Sequence, residues 1–241
     1  MKRKDDKMSL IMELKSKVAT ACRILHNQGL VDYLGHVSAR VPGSDEILIN
    51  ARRNGMYSSL GDVTSEEVAL VDIDGKMLGD ETGLSIPGET ELHTSIFRVR
   101  REVNSVIHTH QPLATAFGIA GRDILPVFNE SFEVVASSVP IFEKRDLITT
   151  RELGEAMAGE MGENDICILK GHGIVITGRS VEEATLNAIN LELQAKMNLI
   201  AALLETLRQV PKDRIEPLPE RRSLSPSKTQ GAWKYYESLI T

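Results

Sequence analysis

The sequence has little cysteine: two residues in 241, at positions 22 and 167, far apart and each in apolar surroundings. That excludes a disulfide framework. It suits two buried free thiols in a reducing compartment. No apolar run approaches the roughly 20 residues a membrane-spanning helix needs. Nothing at the N-terminus combines the apolar segment and small-residue cleavage site of a signal peptide. One sign of charge does not dominate either. There are 28 Lys and Arg against 34 Asp and Glu, for a net charge of −6 with the signs mixed, which favours solubility and argues against a nucleic-acid groove. The basic run Lys2-Arg3-Lys4 is cut short by Asp5-Asp6 and reads as a solvated tail over residues 1–8. Internal repeats and convincing linkers are missing too. The expectation is a cytoplasmic protein with neither a nucleic-acid nor a membrane partner.

What is present is an ordinary globular composition, 41% hydrophobic and 26% charged, long enough for one sizeable core. Leu10, Leu14, Val18, Ala21, Cys22 and Leu25 make a 3.6-residue stripe, so a helix is expected over 9–28, capped by Ser9 and ended by Gly29. His36, Ser38 and Arg40 alternate with Val37, Ala39 and Val41, a strand pattern. Residues 46–50 read as its return after a Pro-Gly turn, and residues 70–78 as a hairpin around Asp74-Gly75. Helices are expected at 89–98, 113–120, 150–161 and from Ser180 to about Leu207. Strand is expected at 127–128, 133–140, 166–169 and 173–177. Elements of both kinds are mixed without a regular βαβ rhythm. The expected fold class is therefore α+β, a central mixed and largely antiparallel sheet flanked by helices. The body is expected to span 9–210. The tail 211–241 carries Trp233, Tyr235 and Tyr236, aromatics suited to docking on the chain's own body or on a neighbouring subunit.

The stretch Val106-Ile107-His108-Thr109-His110 carries the chemistry. Residues i and i+2 of an extended chain face the same way, so both imidazoles can converge on one ion. His172 sits between Gly171 and Gly173, linking two apolar runs. Glu89 and His93, four apart, share a face at the start of a helix. Three histidines leave a divalent ion with open coordination positions, as in catalytic sites. A nearby carboxylate can serve as a fourth ligand at rest and as a base when substrate arrives.

With these motifs in this order, the sequence resembles the class II aldolase/adducin family from about residue 15 to 207. The resemblance rests on Gly35-His36-Val37-Ser38, Val71-Asp72-Ile73-Asp74-Gly75, Glu89-x-x-x-His93, His108-Thr109-His110 and Lys170-Gly171-His172-Gly173. It implies a three-layer α/β/α fold. One divalent metal per subunit (zinc, manganese, cobalt or iron) would sit on His108, His110 and His172. Glu89 would be acid/base and occasional ligand, and the molecule a tetramer with sites between subunits. Where sugar-phosphate members carry Ser-Gly and Ser-Ser pairs that cradle phosphate, this chain has Asn50-Ala51-Arg52-Arg53 and Ile86-Pro87-Gly88. Those departures, with His36, Val139–Glu143 and Trp233-x-x-Tyr236, look more like the branch that decarboxylates hydroxylated aromatic or pyridine carboxylates.

The implied activity is carbon–carbon cleavage, first as a decarboxylase of a small hydroxylated carboxylate such as a dihydroxyphthalate. An aldolase releasing a small aldehyde is the alternative enzyme, and a non-catalytic metal-binding scaffold the alternative outside catalysis. In either enzyme a cation on the substrate oxygens would stabilise the enolate left by cleavage. Arg52 or Arg53 is the expected partner of a substrate carboxylate, since a guanidinium fork matches it bidentately. His36 is expected to donate to substrate or protonate the carbanion, His93 to support Glu89 or the ligands, and Tyr236 to close over a neighbouring site.

Overall fold

The computed structural model describes residues 2–56, 58–79, 83–129, 132–204 and 225–240, with side chains from residue 6 onward. Among the described residues, nine strands and six helices carry the architecture. The strands are β1 (His36–Arg40), β2 (Ile47–Asn50), β3 (Arg52–Arg53), β4 (Val68–Val71), β5 (Leu84–Ser85), β6 (Ser105–Thr109), β7 (Ile141–Phe142), β8 (Ile166–Leu169) and β9 (Gly173–Gly178). The helices are α1 (Lys2–Asn27), α2 (Thr90–Val99), α3 (Pro112–Ala120), α4 (Arg151–Met161), α5 (Val181–Leu203) and α6 (Pro226–Ser238). Seven strands form one sheet in the order β4-β2-β1-β6-β9-β8-β7. Every pairing in it is antiparallel except β7 with β8. β3 and β5 make a separate two-stranded ribbon. This is the mixed, largely antiparallel sheet flanked by helices that the sequence suggests.

The period of two along each strand divides the core between two faces. Val37, Ala39, Leu48, Ile107, Ile166, Ile168, Ile174 and Ile176 pack with α1, α5 and Trp233 of α6. Ile47, Ile49, Val106, Cys167, Leu169 and Val175 pack with Leu92, Ile96 and Phe97 of α2 and with Met157 and Met161 of α4. A one-residue slip would exchange these faces, so burial on both sides fixes the register.

The polar face of β1 is not turned to water. It lies under α2. Ser38 reaches His93, and Arg40 donates through Nη2 to the carbonyl of Phe97 at 2.7 Å and through Nε to that of Val103 at 3.1 Å. Its guanidinium carbon also stands 4.8 Å from the centre of the Phe97 ring. A cation at the C-terminal end of α2 satisfies carbonyls that the helix leaves open, and it fastens α2 to the sheet.

Several expectations change. The first helix begins at Lys2, not Ser9, so residues 2–8 continue α1 rather than forming a loose tail. The 70–78 hairpin shrinks to a single bridge, Val71 to Met77, because the Asp72 carboxylate takes the N–H groups of Asp74 and Lys76. No strand forms at 127–128 or 133–139. Leu125, Val127 and Phe128 satisfy their backbone groups on the side-chain amides of Gln194 and Asn198 from α5, and Phe132–Val135 makes a 3₁₀ turn. Amides presented by a helix here replace a strand ladder. Residues 205–224, most of the expected Pro- and Ser-rich tail, lie outside the described residues. α6 beyond them packs on α1 and α5 of its own chain.

Arg40→Leu should lower unfolding stability by about 2–6 kcal/mol, because two buried carbonyls lose a charged donor at about 1–3 kcal/mol each. Urea unfolding measures this. A midpoint within error of the parent would refute the fastening role.

Candidate metal centre

His108 lies near the end of β6, fully buried on the face covered by α2. Its Nδ1 is 3.0 Å from the carbonyl oxygen of Ile174 in β9. A carbonyl only accepts, so Nδ1 carries the proton and Nε2 keeps its lone pair. That Nε2 points at the Nε2 of His110, 3.0 Å away. Two ring nitrogens at this distance cannot both present lone pairs with nothing positive between them. A proton or a cation must sit there.

His172 closes the group. The nitrogens of His108, His110 and His172 all lie within 4.8 Å of one another. The tight turn before β9 brings it in, and Gly173 makes the approach possible. A Cβ at Gly173 would meet the Thr109 carbonyl oxygen, His110 Cδ2 at 2.8 Å and His108 Cε1 at 3.1 Å. Gly173 is therefore a steric requirement of the histidine cluster.

Glu89 stands at the N-cap of α2 and is buried. Its Oε1 accepts from the Ile148 N–H at 2.9 Å. Its Oε2 is 3.6 Å from His172 Nε2 and 3.8 Å from His108 Nε2. One oxygen is fixed and the other faces the imidazoles of His172 and His108. Three imidazole nitrogens and one carboxylate oxygen form a donor set that suits a divalent transition metal, and the chain can hold one here.

Burial is the largest cause lowering the proton affinity of His108, with the neighbouring imidazoles adding to it. His110 is lowered by burial and then by His172. Both thus favour the neutral state that metal binding requires.

The other expected residues divide. His36 is opposite His108 in the β1–β6 register, with ring centroids 5.5 Å apart. Burial first, then His93, His110, Arg52 and His172, push its protonation well below the ordinary histidine range. Its burial and these neighbours favour the neutral imidazole. His93 does not reach Glu89 or the ligands by any hydrogen bond among the described residues. Its Nδ1 is 2.7 Å from Ser38 Oγ, and its ring neighbours His36 at 5.7 Å. Arg52 lines a cleft with His36, Asn50 and Ser58. Arg53 turns away and pairs with Glu66 at 3.5 Å and Glu67 at 3.6 Å. Tyr236 packs against the core on the opposite face of the sheet and does not join the histidines of its own chain. The Ile174 carbonyl and the Ile148 N–H were invisible as site groups in the sequence, since backbone atoms carry no residue signature.

A mixed sheet between two helical layers, with converging imidazoles beside a half-free carboxylate, defines an α/β/α protein able to hold a divalent cation on an open face. A family model described as Class II Aldolase and Adducin N-terminal domain matches residues 16–199, and the chain belongs to this family. It is 32% identical over 94% of its length to a 3,4-dihydroxyphthalate decarboxylase of Arthrobacter keyseri, also covering 94% of that protein. It is 34% identical to a protein of the same name from Terrabacter sp. (strain DBF63), covering 90% of this chain and 93% of that one. Among solved structures, an aldolase II superfamily protein from Pseudomonas syringae superposes with a TM-score of 0.81 at 25% identity, covering 96% of this chain and 93% of that one.

His172→Ala should remove the bound ion, whereas Glu89→Gln, which keeps three imidazoles, should retain most of it. Elemental analysis of purified protein decides this, and full metal content in His172→Ala would remove that residue from the ligand set. His93 gives a pH test. Burial lowers its pKa to about 3, below an unfolded value near 6.5. The unfolded chain then binds the extra proton, so the stability from a neutral His93 is complete above about pH 6.5. It declines by about 1.4 kcal/mol per pH unit towards pH 3. Metal-free His93→Gln should show a flatter fall in unfolding free energy over that window, and an unchanged slope would refute the assignment.

Proposed function

We propose that the chain is a divalent-metal-dependent decarboxylase of a small hydroxylated aromatic carboxylate, of the dihydroxyphthalate kind. Membership of the class II aldolase family makes it a lyase. The finer reading is carried by Glu89, a buried carboxylate with one oxygen tied to the backbone and the other directed at the His172 and His108 imidazoles of the cluster. Relatives named as decarboxylases along nearly the whole chain support it.

His108, His110 and His172, with Glu89 as an occasional fourth ligand, would hold zinc, manganese, cobalt or iron. When bound, the ion supplies Lewis acidity to the substrate oxygens beside the bond that breaks. Arg52 pairs with a substrate carboxylate, a role its guanidinium fork suits. Glu89 Oε2 accepts the proton of a substrate hydroxyl and returns one to the ring carbon. The carbon–carbon bond to the carboxylate breaks, its electron pair ends in the new C–H bond, and CO₂ leaves with one proton consumed overall. His36 offers a neutral N–H to substrate oxygen.

An aldolase of sugar phosphates would need a phosphate cradle where this chain spends Asn50 on its own backbone, holding the Val37 N–H at 2.7 Å. A role for Tyr236 in catalysis requires a neighbouring subunit, and we place the working form as a homo-oligomer, a tetramer by the family pattern.

The metal-loaded protein should release CO₂ from 3,4-dihydroxyphthalate with no aldehyde product, lose activity to a chelator and regain it with added metal. Glu89→Gln should lower kcat by about 10²- to 10⁴-fold, the usual worth of a positioned acid/base. Retro-aldol cleavage of a hydroxy-ketoacid without CO₂ would overturn the decarboxylase reading, and full activity in excess chelator would overturn the metal's part in it.

A further inference from the structure

The two histidines of β6 and its exit are held by different means. His108 lies inside the β6–β9 ladder and bonds to the Ile174 carbonyl through Nδ1. His110 lies one residue beyond the last pair of that ladder, Thr109 with Ile174. Among the described residues its ring has one hydrogen-bonding contact, Nε2 with His108 Nε2. No carbonyl or carboxylate among them fixes its other nitrogen. The direction of His110 therefore depends on the backbone on either side of it.

That backbone is anchored to α5. Neighbours along an extended chain face opposite ways, so Thr109 and Gln111 turn from the metal centre as His108 and His110 turn to it. Both are fully buried. Thr109 Oγ1 donates to Gln111 Oε1 at 2.8 Å, and Gln111 Nε2 donates to the Ala188 carbonyl of α5 at 3.3 Å. Holding these two side chains on the α5 side presents the histidines on the other.

α3 begins directly after Gln111. Gln111 occupies its N-cap but makes no capping bond with its own side chain. Pro112 has no N–H to offer, and the Thr115 N–H returns to the Gln111 carbonyl. The Leu113 and Ala114 N–H groups are left, and Glu192 of α5 takes both. Its Oε1 accepts from Leu113 at 2.9 Å and its Oε2 from Ala114 at 3.0 Å. A carboxylate suits a helix N-terminus by charge as well as by hydrogen bonding. Glu192 stands one turn beyond Ala188, so a single face of α5 grips the chain from Gln111 to Ala114. α5 itself packs on β6, β9 and α1, which makes it a firm base.

We propose that Glu192 is a positioning residue for His110: by clamping the first turn of α3 to α5, it fixes the backbone that aims this imidazole at the ion. This rests on the metal-centre reading and deepens it. Glu192 is not one of the convergent donors and acts only through the segment that carries His110.

Cobalt(II) titrated into metal-free protein tests this, by calorimetry and by the visible absorption of the bound ion, which responds to the number and direction of its ligands. Glu192→Gln keeps the size of the side chain but turns an NH₂ donor towards one of the two N–H groups. It should bind cobalt about 10-fold more weakly, the lower end of what residues supporting a ligand usually contribute, with a changed visible band. In a His110→Ala background the same substitution should alter affinity by about 2-fold or less, because the side chain it positions is gone. A merely structural role would weaken binding equally in both backgrounds, and that result would overturn the proposal. Parental affinity and spectrum in Glu192→Gln would overturn it too. If Glu192→Gln does not fold, Glu192→Asp, shorter but still charged, enters the same cycle: a loss confined to the background with His110 supports the clamp, and equal losses or none overturn it. A parent that binds no cobalt, or a His172→Ala variant that binds it as well as the parent, would instead sink the metal-centre reading itself.

Discussion

The hydrogen bond between His108 Nδ1 and the Ile174 carbonyl, 3.0 Å long, decides what the centre can do. It joins a side chain of β6 to the backbone of β9, two strands already paired through Thr109 and Ile174. By fixing the proton on Nδ1 it leaves Nε2 as a lone pair in a buried place, where that lone pair requires a partner. His110, His172 and the free oxygen of Glu89 then gather at the same point. The sheet therefore sets the ligand direction as well as the ligand position.

Support for Glu89 comes from the opposite layer. Glu89 is held at the head of α2, and α2 is tied to β1 by Arg40 at its far end and by the Ser38–His93 contact midway. α4 packs along the other side of α2. The carboxylate thus hangs from a helix fastened at several points, while the imidazoles hang from the sheet. The position of Glu89 relative to the three imidazoles is set by how α2 lies on β1 and β6. Positions well away from the chemistry, Arg40 among them, carry this alignment, because a modest misplacement of catalytic groups costs orders of magnitude in rate.

Periodicity made most of the architecture legible in the sequence, since strands buried on both faces and helices with apolar stripes leave a regular mark. The histidine pair and the glycine frame of His172 were legible for a second reason: few side chains can bind a metal, and few positions need the absent Cβ of Gly173. What stayed hidden depends on partners distant in sequence. Nothing local in Val127-Phe128 announces that Gln194 will satisfy its backbone, and an apolar pair there reads as strand. Arg52 and Arg53 are identical neighbours in sequence, yet the pleat of β3 sends one to the cleft and the other to Glu66 and Glu67. The direction of His93, towards Ser38 instead of Glu89, is set by the crossing of α2 over β1, which no spacing within α2 encodes.

The two margins of the large sheet are both blunt. β7 has only two residues, and β4 meets the returning chain at Met77 and Leu78 through the Val71–Met77 bridge and the Leu78 N–H on Leu70. A sheet with no long run of open backbone groups resists growth by strand addition, the usual route to edge-to-edge aggregation. Blunt edges leave the sheet that aims the imidazoles with little backbone for another strand to add to.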